Sequence, residues 1–117
     1  MFYSLTFLED MNKEEIDLII NKLSDAFAEI PFSIMHGMTS LFFIFVDDSK
    51  IENPNFIPEK IEKFGTDNNI GYLMKELDFN NNEPPMFVIG SNDYYKKLEK
   101  FFVGNGVSPE SFSKCFK

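Results

Sequence analysis

The most apolar stretch of the chain is Leu41–Val46, which is followed directly by Asp47 and Asp48. Six residues are too few for a membrane span and too few for a typical buried helix. Aromatic and β-branched residues dominate this stretch, which is typical of a strand buried on both faces near the middle of a sheet. We therefore expect the other, amphipathic segments of the chain to pack against this strand.

Two further strands are predicted close to this central one. Residues 32–36 form a short apolar segment, and Gly37–Ser40 supplies a plausible turn before Leu41, so the two segments predict a hairpin. Residues 2–8 are rich in aromatic and β-forming side chains that alternate in direction. The predicted inward side of this first strand carries Tyr3, Leu5 and Phe7.

A helix is predicted between the first two strands. Asn12 is a preferred N-cap residue, and Glu15 follows at the spacing of a capping box. Pro31, which has no amide hydrogen to donate, is expected to end the helix. The apolar positions between them recur at the three-to-four spacing of one buried stripe. They are Ile16, Ile19, Ile20, Leu23, Phe27 and Ile30.

Residues 56–77 are also predicted to be helical. Pro58 suits the first turn of a helix, and Gly65–Asn69 then breaks or distorts it. Helical spacing resumes afterwards, so the pattern predicts either one kinked helix or a short helix and a longer one. The apolar positions of the second half are Ile70, Leu73, Met74 and Leu77.

The C-terminal third begins with a polar stretch at residues 78–85, which we interpret as a surface loop. Met86–Ile89 is a short apolar run and is predicted to be a further interior strand. A helix capped by Ser91 or Asn92 should follow, with Gly104 as the glycine just beyond its end.

The order of these elements predicts the fold class. Ser108 and Pro109 have the cap and first-turn proline of a last short helix. The complete order is β-α-β-β-α-β-α, and two βαβ units around a hairpin predict an α+β ferredoxin-like plait with an added C-terminal helix. The alternative is a barstar-like α/β fold of two or three layers, with three parallel strands. Neither a repeat nor a linker is visible, so residues 1–117 are expected to form a single domain.

The charged residues narrow the functional classes. The net charge is −8, and all eleven basic residues are Lys, without a single Arg. Such a chain lacks the guanidinium groups that bind phosphates and base edges, which argues against direct nucleic-acid binding. Residues 1–83 hold sixteen acids and six Lys, for a net charge of −10, whereas residues 84–117 hold three acids and five Lys, for +2. This asymmetry can steer a basic partner toward one side.

The expected location is the cytoplasm. Cys115 is the only cysteine, so the chain can form no internal disulfide, which fits a reducing compartment. The N-terminus lacks the basic region of a signal peptide, and no apolar run approaches the length of a membrane span. We expect a soluble protein that does not associate with membranes.

Three sets of residues could support chemistry, and each has a simpler structural interpretation. Gly90–Asp93 follows a predicted strand and opens a helix, as phosphate sites do, but a helix cap is favoured. His36 and Cys115 could form a nucleophile and base, yet they lie far apart in sequence. Asp47 and Asp48 could bind Mg²⁺ or Ca²⁺, but acids also commonly end strands. We therefore expect no catalytic residue, cofactor or metal, and no enzyme activity.

The acidic residues and nearby aromatic side chains form the favoured candidate site. In the predicted topology they lie at strand ends and helix starts, where some should approach one another. Charge would give such a surface its association rate and specificity, and aromatic side chains would give it binding energy. The predicted partner-binding residues are Glu9, Asp10, Glu14, Asp17, Asp47, Asp48, Glu52, Asp78, Phe79 and Glu83.

These properties favour a small inhibitor that covers the basic active-site cleft of a partner protein. In size, charge and compartment the chain is similar to bacterial immunity proteins, which neutralise a cognate toxin, here expected to be a nuclease. It is similar in the same respects to phage-encoded inhibitors that mimic nucleic acid. The other alternative is a dimeric, ligand-binding regulatory domain. The free protein is expected to be a monomer or a weak homodimer.

Overall fold

The computed structural model describes residues 1–28, 32–37, 40–47, 49, 52–53, 55–79 and 91–115. Within these ranges the chain is an α+β protein with a four-stranded antiparallel sheet and four helices. It divides into two compact units, residues 1–76 and residues 77–117. The elements follow the order β1 (Phe2–Phe7), α1 (Lys13–Ala26), β2 (Phe32–His36), β3 (Leu41–Val46), α2 (Phe56–Asp67), β4 (Tyr72–Leu77), α3 (Asn92–Gly104) and α4 (Pro109–Ser113).

The sheet has the strand order β2-β3-β1-β4. β3 pairs antiparallel with both β1 and β2, and Ile44 lies opposite both Tyr3 and Ile34. Phe42, at 0 % exposure, and Phe43, also at 0 %, point to opposite faces of the sheet, so the interior position predicted for β3 is confirmed. The antiparallel pairing rules out the alternative of three parallel strands.

The core of the N-terminal unit lies between one face of the sheet and the helices α1 and α2. The predicted inward residues of β1 are all buried in it. α1 begins as predicted, because the Asn12 Oδ1 atom accepts a hydrogen bond of 2.9 Å from the Glu15 amide. Ile19, Leu23 and Phe27 carry its buried stripe. The helix ends earlier than predicted, at Ala26, since Phe27 already has non-helical backbone angles; Pro31 lies outside the described residues.

The helical prediction for residues 70–77 is wrong, because residues 72–77 form strand β4. α2 ends at Asp67, Asn69 follows with a φ of 52°, and the Leu8 amide donates a hydrogen bond of 2.9 Å to the Gly71 carbonyl. Along the segment, the alternating residues Ile70, Tyr72 and Met74 pack against the core, whereas Leu73 is 65 % exposed. The prediction rested on the helically spaced set of apolar positions, and pairing with β1 selects the alternating set instead.

The C-terminal unit contains α3 and α4. Both predicted caps are confirmed, since the Ser91 Oγ atom accepts from the Tyr94 amide and the Ser108 Oγ atom accepts from the Ser111 amide. Gly104 is the last residue of α3 rather than the glycine beyond it. That role belongs to Gly106, whose φ of 108° lies in the left-handed region that favours glycine. The buried side chains of this unit include Phe79, Leu98, Phe102, Val107, Phe112 and Cys115.

The strand predicted at Met86–Ile89 and most of the predicted loop 78–85 lie outside the described residues. The fourth strand of the described sheet is therefore β4, which comes from a segment that the sequence pattern assigned to a helix.

Candidate functional site

The N-terminal unit carries all of the net charge. Residues 1–76 hold fourteen acids and six lysines, for a net charge of −8, and residues 77–117 hold five of each, for a net charge of zero. An electrostatic attraction to a basic partner would therefore act mainly on the N-terminal unit.

Four of the predicted partner-binding acids gather where β1 ends and α1 begins. Glu9 and Asp10 follow β1 directly, Glu14 lies in the first turn of α1, and Asp17 lies one turn further on. All four side chains are exposed. Acids in the first turn also stabilise a helix by complementing its dipole, so Glu14 has a structural role in addition. We call these four residues the β1–α1 acidic cluster.

Two other predicted acids lie at the opposite end of the sheet. Asp47 follows β3, and the antiparallel register places the end of β3 beside the start of β1, where the Val46 amide donates to the Met1 carbonyl. Glu52 lies in the same connection and is exposed. The six residues of β1 separate this end from the β1–α1 acidic cluster by about 20 Å. The predicted acids Glu9, Asp10, Glu14 and Asp17 thus lie near one another, whereas Asp47 and Glu52 lie apart from them.

The remaining predicted partner-binding residues have different surroundings. Asp78 directly follows β4 and is exposed. Phe79 is 7 % exposed, and its ring centroid lies 4.8 Å from that of Phe102, so it belongs to the core of the C-terminal unit. Asp48 and Glu83 lie outside the described residues.

An open groove of about 440 Å³ lies beside the β1–α1 acidic cluster. Its walls come from the last residue before the cluster, from the C-terminal half of α2 and from the start of β4. Its volume lies within the range of roughly 300–1,000 Å³ that is usual for ligand pockets. The lining residues are Leu8, Glu62, Gly65, Thr66, Asn69, Ile70, Gly71 and Tyr72.

Two glycines let the walls of the groove approach each other. A Cβ atom on Gly65 would lie 2.9 Å from two carbon atoms of the Tyr72 ring and 3.0 Å from the Ile70 carbonyl oxygen. A Cβ atom on Gly71 would lie 2.8 Å from the Cδ1 atom of Leu8. The missing side chains therefore allow Tyr72 to pack on α2 and Leu8 to lie over the start of β4.

The groove is lined by both apolar and polar side chains. Leu8 is 63 % exposed there, and Ile70 and Tyr72 are half-buried. The exposed Glu62 also lines the groove, as do residues near the C-terminal end of α2, whose last turn has no basic residue. A helix C-terminus has the negative end of the helix dipole, so this part of the lining attracts cations. Lys22 lies near this end of α2, but its Nζ atom donates to Asn68, which does not line the groove.

The sequence patterns did not indicate this groove. Leu8 is distant in sequence from α2 and β4, and the helical prediction for residues 70–77 concealed the turn that brings them together. The pair of glycines on either side of Asn68 and Asn69 was the available signal, because glycines often mark close backbone approach.

Cys115 is a buried structural residue. It is 0 % exposed, its thiol donates a hydrogen bond of 3.3 Å to the Ser111 carbonyl, and burial raises the pKa of the thiol. A raised pKa leaves less of the reactive thiolate at neutral pH, so Cys115 is poorly suited to act as a nucleophile.

The other candidate sites contain ordinary local contacts. The Oδ1 atom of Asp47 accepts hydrogen bonds from the amide and the hydroxyl of Ser49. Among the described residues, no group of three or more His, Cys, Asp or Glu side chains is placed to hold a metal ion. None of the helices in these residues has both the length and the apolar character needed to cross a membrane.

Comparison of the chain with protein-family models, with curated proteins and with solved structures found no match.

Proposed function

We propose that this protein is a small cytoplasmic inhibitor, most concretely an immunity protein that neutralises a toxic nuclease by covering its basic active-site cleft. The observation that carries the proposal is the location of the charge. The N-terminal unit has the entire net charge of −8, and four of its exposed carboxylates form the β1–α1 acidic cluster.

The proposed inhibition follows from the chemistry of the target. A nuclease cleft presents Lys and Arg side chains to phosphates, and carboxylates on a rigid surface can occupy the same positions. Complementary charge speeds the encounter and selects the partner, while apolar contacts at the centre of the interface slow dissociation. The chain itself has no Arg, which is consistent with an inhibitor that competes with nucleic acid instead of binding it.

We also propose that the sheet is a ferredoxin-like plait. The strand order β2-β3-β1-β4 and the antiparallel pairing of β3 with β1 and β2 support this assignment. The fold does not decide the function, because plait domains serve many purposes.

The groove supports a second candidate function, a ligand-binding regulatory domain that dimerises. The supporting observation is an open space of about 440 Å³ whose walls include Leu8 and Tyr72. A thermal-shift screen with small metabolites, together with light scattering, separates this function from the first. A stable dimer and a ligand-induced rise in Tm would favour it, whereas a monomer whose Tm no ligand raises would count against it.

A phage-type inhibitor that mimics nucleic acid would use the same acidic surface as an immunity protein and would differ in the target it blocks.

Capture of the natural partner tests the inhibitor proposal. The tagged protein is incubated with extract of the native cell at low salt, and the retained proteins are identified and then assayed for nuclease activity with and without the inhibitor. We expect one stoichiometric basic protein that is released at high salt and whose nuclease activity the inhibitor blocks. A stoichiometric partner that is acidic, or whose binding is indifferent to salt, would refute the proposal.

Charge-reversal variants connect the captured partner to the acidic residues. Replacing Glu9 and Asp10 by Lys should weaken binding and reduce its salt dependence. The matched control replaces Asp93 and Glu110, two exposed acids of the C-terminal unit, whose net charge is zero, by Lys. This control changes the net charge by the same amount, so an equal loss of binding in both variants would show that only total charge matters.

A further inference from the structure

We propose that the groove between Leu8, the C-terminal half of α2 and the start of β4 binds an arginine side chain of the basic partner. This proposal rests on the proposed function, because the arginine side chain would come from the basic partner. It adds the place where the partner docks and the residue type that enters the groove.

The two kinds of lining group match the two parts of an arginine side chain. Its aliphatic stem favours apolar surface, which Leu8 and Ile70 supply, and its guanidinium group remains charged and needs acceptors. Glu62 and Asn69, which are exposed and also line the groove, have side-chain oxygens that can accept. Tyr72 adds an aromatic ring, on which a planar guanidinium stacks more readily than an ammonium group does.

The electrostatic surroundings favour a cation over an anion or a neutral group. The groove lies at the negative end of the α2 dipole, and α2 has no basic residue in its last turn. Glu9 and Asp10 follow Leu8 in the chain and are exposed, so they can receive further basic residues beside the one in the groove. This complementarity distinguishes the β1–α1 end of the sheet from the Asp47 end, where that carboxylate already accepts two hydrogen bonds from Ser49.

A second copy of the chain is a poorer occupant. Each copy has a net charge of −8 and contains no arginine, so association through this end would bring like charges together. A basic partner supplies both the missing residue type and the opposite charge.

An NMR titration with arginine analogues tests the groove without the partner. ¹⁵N-labelled protein is titrated with N-acetylarginine amide, with its neutral isostere N-acetylcitrulline amide, and with methylguanidinium, which has the cation but no stem. We expect the amide signals of Leu8, Thr66 and residues 69–72 to shift with the arginine analogue, at a dissociation constant of roughly millimolar size for so small a ligand.

The analogues separate the contributions of charge and stem. Citrulline should bind about fivefold more weakly because it loses the charge, and methylguanidinium about threefold more weakly because it loses the buried methylene groups. Equal binding of all three, or shifts spread over every acidic side of the protein, would overturn the proposal. Self-dilution shifts at the same amides would assign the groove to a second copy and would overturn it as well.

Two variants of one helix complete the test. Glu62→Gln should weaken binding of the arginine analogue about threefold, because an ion pair is lost. Glu59→Gln, which removes another exposed carboxylate from the first turn of α2, should leave the binding of the arginine analogue unchanged. Equal effects of the two variants would contradict the assigned site. The titration contains no partner protein, so its failure would refute the arginine site and leave the inhibitor proposal standing. Failure of the capture experiment would likewise leave the titration result valid.

Discussion

Replacement of Gly65 by alanine tests how the groove is built. Gly65 lies inside α2, where alanine is normally the better residue by about 1 kcal/mol. Here, however, the new Cβ atom would lie 2.9 Å from the Tyr72 ring and 3.0 Å from the Ile70 carbonyl oxygen. The ring is half-buried, and the carbonyl belongs to backbone that is held by the hydrogen bond from the Ile70 amide to the Gly65 carbonyl.

Whether Gly65→Ala destabilises the protein depends on whether the steric cost of the new Cβ atom exceeds the gain in helix propensity. Overpacking of this kind costs about 1–3 kcal/mol, against the gain of about 1 kcal/mol in helix propensity. We therefore expect Gly65→Ala to lower the free energy of unfolding by about 1 kcal/mol, as the difference of those two contributions. Urea unfolding followed by far-ultraviolet circular dichroism measures this change, provided that the slope of the transition is unchanged.

Gly104→Ala is the matched control for helix propensity. It replaces a glycine at the end of α3, where a Cβ atom would have no heavy atom within 4 Å. We expect this variant to be as stable as the parent or more stable by up to about 1 kcal/mol. If Gly65→Ala were also stabilising, the close packing of Tyr72 on α2 would be refuted. A smaller cost of Gly65→Ala in a Tyr72→Ala background would assign part of the cost to the ring.

Four further predictions concern stability and reactivity. Leu5→Ala, at a fully buried position of β1, should lower the free energy of unfolding by about 2–5 kcal/mol. Leu73→Ala, at an exposed position of β4, should change it by less than about 0.5 kcal/mol. Urea unfolding of both variants measures the two changes. Gly106→Ala should cost about 1–3 kcal/mol in the same assay, because its φ of 108° strains any residue with a Cβ atom. The buried thiol of Cys115 should react with a disulfide reagent at least about tenfold more slowly in the native protein than in urea; equal rates would contradict its burial. Burial raises the pKa values of both Cys115 and Tyr94. The unfolded state therefore loses these protons at lower pH than the folded state does, so the free energy of unfolding should fall as the pH rises above the ordinary pKa values of the two groups. A free energy of unfolding that stays constant up to pH 11 would contradict this.

Strong local signals made the N-terminal half of the fold predictable. The aromatic and β-branched run Leu41–Val46 favours a buried strand, and the Asn12 cap with its helical stripe indicates α1; both elements are present. In both, the local pattern agrees with the tertiary packing, so the pattern alone leads to the observed element.

The pattern failed where two sets of apolar positions overlap. Over Ile70–Leu77, one set of apolar positions has helical spacing, whereas Ile70, Tyr72 and Met74 alternate as in a strand and pack against the core. The outcome depends on the backbone pairing with β1, which lies more than sixty residues away in the chain. Likewise, the end of α3 depends on whether Gly104 or Gly106 takes the left-handed backbone, and composition does not distinguish between two glycines so close together.

The arrangement of the predicted partner-binding residues in the fold could not be predicted from the sequence. The sequence identified the acids, and it could not show that Glu14 and Asp47 belong to opposite ends of the sheet, because that depends on the register of β1 with β3. It placed Phe79 on the binding surface from its aromatic character, whereas the ring packs on Phe102. Aromatic residues are common both in cores and in interfaces, and burial alone separates these roles.

The most direct test of the proposed function is the salt dependence of binding between the captured partner and three forms of the protein. These are the parent chain, a variant with Lys at the positions of Glu9 and Asp10, and a variant with Lys at the positions of Asp93 and Glu110. The proposal predicts that the parent and the variant changed at Asp93 and Glu110 bind tightly at low salt and lose affinity as salt rises. The variant changed at Glu9 and Asp10 should bind weakly at every salt concentration. Equal affinity and an equal salt slope for all three proteins would contradict the claim that the β1–α1 acidic cluster binds a basic partner.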